Sequence, residues 1–211
     1  MAIIILGIIS VIVLGGLFLF IGRSSKSAGG GAVPNADEVS SRASYAFECA
    51  KQLGDGSINS IKEILFTPAL SPVSRSWKES RRQDKIDRKV AYEITAFSVN
   101  IVLRAWHARL GAEETMPTLR RLELELLARF KAEPQLASLL PQLGFYAEAK
   151  DQFMMMMRFS GSIQRTFTKE ADGVASAALA EPLTMIYSKA QNCADEALDL
   201  PIADIRRRLH P

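Results

Sequence analysis

Residues 90–110, VAYEITAFSVNIVLRAWHARL, carry Val90, Ile94, Phe97, Val99, Ile101, Val102, Leu103 and Trp106 within one uninterrupted run. At helical pitch these side chains point in nearly every direction, and a helix that is apolar all round is one enclosed by other helices. The stretch therefore predicts the central helix of an all-α bundle. Asn100, in the middle of it, requires a hydrogen-bond partner once enclosed.

Upstream the same helix, expected to begin near residue 74, changes character. Arg75, Lys78, Arg82, Lys85 and Lys89 recur at spacings of three and four and so share one face, with Arg81 and Arg88 beside them. They outnumber Glu79, Asp84 and Asp87. This basic stripe is the candidate surface for an acidic patch on a partner or for anionic lipid headgroups; the plain alternative is a solvated helix extension. Trp77 lies within it.

Earlier in the chain, Asn35 followed by Glu38, or Asp37 alone, predicts the cap of a helix with Val39, Ala43, Ala46, Ala50 and Leu53 inward, stopped by Gly54 and Gly56. A short helix carries Ile58, Ile61, Ile64 and Leu65. Downstream, Gly111 ends the central helix and Pro117 opens the next, whose buried stripe is Leu119, Leu122, Leu126 and Phe130, with a Glu125–Arg129 pair facing water. Pro134 and Pro141 bracket a short turn or helix, and Gly144 punctuates before a long helix with Tyr146, Phe153, Met156, Ile163 and Phe167 on one face. A bend is expected near Gly161 or Gly173. Leu183, Ile186, Ala190, Cys193 and Ala197 form the stripe of the following helix, and a short basic helix follows Pro201. No alternating apolar run bounded by turn residues reads as a strand.

At the start of the chain stands AIIILGIISVIVLGGLFLFIG, residues 2–22, without a charged side chain. As a helix it spans roughly 31 Å, enough to cross a bilayer. Arg23 and Lys26 follow it, which predicts an uncleaved single-pass anchor with the N-terminus outside and the remainder cytoplasmic, in a bacterial inner membrane. Cleavage after Ser27 or Ala32, releasing the domain, is the alternative. Gly7, Gly15 and Gly22 fall on roughly one side and form a candidate packing face for another transmembrane helix. Residues 23–36, rich in Ser, Gly and Ala, read as a flexible linker, and 37–211 as the helical domain.

Composition narrows the function. Of 211 residues, 26 are Lys or Arg and 23 are Asp or Glu, a net charge of +3 that gives no reason to invoke nucleic acid. Cys49 and Cys193 sit among alanines at helical spacing and read as buried free thiols. The chain has no GxSxG, GxxxxGK[ST] or GxGxxG motif, no CxxC, and no ExxH or HxxxH pair. No catalytic residue, cofactor or metal ligand is therefore assigned. Met154, Met155, Met156 and Met157 cover all sides of a helix and cannot all enter one core, so Met154, Met155 and Met157 are a candidate adaptable contact surface.

The fold expected is all-α: a single N-terminal transmembrane helix followed by a soluble bundle of about six or seven helices. The expected role is a membrane-anchored interaction protein, an accessory, assembly or scaffold subunit of a larger membrane complex. The alternative is a tethered helical enzyme or ligand-binding domain with His107, Asn100 and a carboxylate around a site inside the bundle.

Overall fold

The computed structural model describes residues 35–65, 83–167 and 177–210, which belong to one compact unit. Its helices are α1 (Ala36–Gly56), α2 (Ile58–Leu65), α3 (Gln83–Leu110), α4 (Met116–Ala132), α5 (Pro134–Ala137), α6 (Leu140–Ala147), α7 (Gln152–Phe167), α8 (Ala180–Asp199) and α9 (Ile202–Leu209). Among the described residues there is no strand.

The centre is α3. Every residue from Val90 to Val102 is buried except Tyr92, so the apolar-all-round stretch is enclosed as its pattern requires. Its two faces serve two cores. One face places Val90, Ile94, Phe97 and Ile101 against α2, α6, α7 and the start of α8. The opposite face places Ala96, Val99, Val102 and Trp106 against α1, α4, α9 and the end of α8. Trp106, fully buried, donates its indole N–H to the Ala194 carbonyl at 3.1 Å. Asn100 finds its partner in the Leu143 carbonyl, 3.3 Å from Nδ2.

Helix ends follow the local chemistry. The Asn35 side chain accepts the Glu38 N–H at 2.7 Å and caps α1, while the Glu38 carboxylate turns to Arg42. Asp151 caps α7 in the same way through Met154 N–H, also at 2.7 Å. Carbonyls at helix C-termini are met by arginines, whose charge also complements the negative end of the helix dipole. Arg42 Nη1 reaches the Ala197 and Leu198 carbonyls at 2.6 and 2.7 Å, tying α1 to the end of α8. Arg104 Nη2 donates to the Ala147 carbonyl at 3.0 Å and to that of Ala149, closing α6 from α3.

Several expectations change. Gly54 does not stop α1, which continues to Gly56; it is where α1 crosses α3. A Cβ at Gly54 would lie 2.7 Å from the Ala91 carbonyl oxygen and closer still to Thr95 Oγ1, so only hydrogen fits. Gly144 lies inside α6, and the break falls instead at 148–151. Gly161 is buried within a continuous α7, with no break at that point. Gly173 lies outside the described residues.

The membrane assignment is corrected. Among the described residues no helix is long and apolar enough to cross a membrane, which weighs against the single-pass topology with a cytoplasmic domain. Even α3, the most enclosed helix, opens with Asp84, Lys85, Asp87, Arg88 and Lys89 and includes Glu93 and Arg104. Residues 2–22, the expected anchor, lie outside the described residues, as do Gly7, Gly15 and Gly22 and most of the 23–36 linker.

Candidate functional site

The cap at Asp151 sets the phase of α7. With the helix starting at Gln152, Met155, Phe159 and Ile163 turn inward and are fully buried. Phe159 stacks on Phe97 with ring centroids 4.3 Å apart, and Tyr146 meets Phe97 edge-on at 5.8 Å. The same phase turns Phe153 and Met157, one helical turn apart, outward: they are 69% and 41% exposed. Phe153 was expected on the buried face. The reason for the difference is that residues 148–151 interrupt the helix, so the register read through from Tyr146 does not carry into α7.

Beside them runs α8. The Thr184 hydroxyl approaches the Met156 sulfur at 3.9 Å, and its neighbour Met185 is 49% exposed. Phe153, Met157 and Met185 are thus exposed apolar side chains on two helices that touch at Met156 and Thr184. Elsewhere Leu124, on α4, is equally exposed at 69%. Single exposed leucines are ordinary on protein surfaces, whereas apolar side chains grouped on adjoining helices mark contact surfaces.

The methionine run divides accordingly. Met155 is fully buried and is corrected from the candidate surface to the core, because the phase of α7 turns it inward with Phe159 and Ile163 into the cluster that holds Phe97. Met154 and Met156 are half-buried against the same core. Met157 alone of the four faces solvent. Of the basic stripe, Lys85 and Lys89 are exposed on the first turns of α3, and Arg75, Lys78 and Arg82, with Trp77, lie outside the described residues.

No relatives were found. Comparison with protein-family models, with curated proteins and with solved structures gave no match.

The residues of the alternative reading do not converge. His107 is exposed and pairs with Glu123 of α4, while Asn100 is buried against Leu143. The carboxylate perturbed by burial is Glu93, which precedes both on α3. It is 4% exposed, accepts the Tyr146 hydroxyl at 3.0 Å and is also in hydrogen-bonding reach of Ser162. Burial pushes its pKa up, against the pull of Tyr146, Ser162 and Lys89. With its polar partners coming from the bundle, this group reads as an internal tie between α3, α6 and α7. Among the described residues no group of three or more His, Cys, Asp or Glu side chains is arranged to hold a metal ion.

Proposed function

We propose that this chain is a helical interaction module, an accessory or scaffold subunit whose α7–α8 face receives another protein. The observation that carries the reading is the outward placement of Phe153 and Met157 with Met185 on the neighbouring helix. Aromatic and methionine side chains are enriched at interface centres, and the unbranched thioether adapts to the shape it meets. The packing behind them supports it: stacked Phe97 and Phe159 seat the inner face of α7 in the core while Phe153 and Met157 stay exposed.

The partner this surface suits is a protein presenting apolar side chains. Each anchor buried on binding contributes about 1.5–3 kcal/mol. Changing Phe153 and Met157 together to Asp should therefore weaken binding at least about tenfold. The test is copurification from the producing organism with the wild-type chain, the double Asp variant and Leu124→Asp. A protein retained by wild type and Leu124→Asp but lost from the double variant supports the role. Identical recovery with all three removes its basis.

A further inference from the structure

Cys49 and Cys193 are distant in sequence, yet α1 and α8 bring their side chains within hydrogen-bonding reach of each other. Both are free thiols, and neither is fully buried. They line an open recess of about 250 Å³ together with Gln52, Leu53, Lys189 and Asn192. A structural thiol is normally sealed in apolar surroundings; this pair is partly exposed and lines an open recess.

The surroundings make the two sulfurs unequal. The Tyr45 hydroxyl is in reach of Cys49, donates to the Glu196 carboxylate and accepts from Arg208 Nη1 at 2.7 Å. Arg208 also pairs with Glu196 at 2.7 Å. The Cys193 thiol donates toward Cys49, which holds the Cys49 pKa below the ordinary thiol value against the effects of burial and of Glu196. The same bond, with burial, pushes Cys193 well up. Tyr45 and Arg208 act on Cys49 and not on Cys193, and a positive group beside a thiol favours its thiolate, so Cys49 is the attacking sulfur and Cys193 the resolving one.

We propose that this recess is a thiol–disulfide exchange site at which Cys49 attacks a small oxidised disulfide and Cys193 resolves the adduct, leaving a Cys49–Cys193 disulfide. In the first step the Cys49 thiolate forms a bond to one sulfur of the small disulfide. The original S–S bond breaks, and the departing thiolate takes up a proton. In the second, Cys193 gives up its proton and attacks the Cys49 sulfur, and the remaining half leaves as a second thiol. Two protein thiols are oxidised and one disulfide is reduced to two thiols. Lys189, lining the recess, favours a disulfide bearing carboxylates, such as oxidised glutathione. The product links α1 to α8 at the side of the bundle where Tyr45, Glu196 and Arg208 already join α1, α8 and α9.

The test treats the reduced full-length chain with oxidised glutathione, quenches with acid and measures intact mass. Wild type is expected to become two hydrogens lighter with no glutathione retained and no second copy attached. Cys193→Ser should trap one glutathione on Cys49, and Cys49→Ser should react at Cys193 at least about tenfold more slowly. A wild-type chain that stays reduced, keeps glutathione or links to a second copy overturns the proposal. So does Cys49→Ser reacting as fast as Cys193→Ser. The wild-type masses decide the question even if a serine variant does not fold.

Discussion

Glu93 is held where its charge is least welcome. Its folded-state pKa is raised by burial above the ordinary carboxyl value of 4.5, so the native state binds its proton more tightly than the unfolded chain. Stability from this group is present at low pH and declines as pH rises from 4.5 through the folded value. Glu93→Gln keeps an acceptor for the Tyr146 hydroxyl and removes the ionisation. Chemical denaturation across about pH 5 to 8 should therefore give a flatter profile for the variant, with its gain over wild type largest at the alkaline end. Tyr146→Phe should act in the opposite sense, costing about 1–3 kcal/mol and more at high pH than at low, because it removes a donor to the charged form. Trp106→Ala should cost about 3–5 kcal/mol by the same measurement, since it empties a fully buried site and removes the indole N–H donated to the Ala194 carbonyl. Among these residues, Trp106 and Asn100 were legible in the sequence as enclosed positions on the central helix. The Glu93–Tyr146 tie was not, because its partners come from separate helices and no local spacing records the pairing.

Two glycines two residues apart separate the effects acting on a helix. Gly54 sits where α1 crosses α3, and an added methyl meets the fixed Ala91 carbonyl oxygen; Gly54→Ala should destabilise by about 1–3 kcal/mol. Gly56, exposed at the end of the same helix, has nothing near its missing Cβ. Gly56→Ala should stabilise by about 0.4–1 kcal/mol by restricting the unfolded chain. Thermal unfolding of the pair checks both signs; equal shifts would place the crossing elsewhere. The sequence marked both glycines as helix stops because propensity alone registers only backbone freedom, and the contact that distinguishes them is made with a helix more than thirty residues on. Where a helix has a single clear stripe the reading holds for the core: Leu119, Leu122, Leu126 and Phe130 of α4 are all buried, while Glu125 pairs with Arg129 at 3.0 Å but is half-buried against Ser40 of α1 instead of facing water. In α7 it slipped, because the capping side chain of Asp151 restarts the helical phase and exchanges Phe153 for Met155 in the core.

At the scale of the molecule, two cores on opposite faces of one central helix account for the all-α bundle, and the apolar run at 90–110 announces that helix before any contact is known. On the proposed reading the outer turns of α7 are covered by a partner, and the chain carries this only as Phe153 and Met157 left outside a filled core. Leu124 and Phe153 have the same exposure and differ in their neighbours, so they form a matched pair. The most direct measurement places a photo-activatable phenylalanine analogue at position 153 or at 124 of the full chain, irradiates it in the producing organism and compares the adducts. The α7–α8 surface predicts a discrete protein adduct from position 153 and none, or a diffuse background, from 124. Equal patterns from the two positions would contradict it.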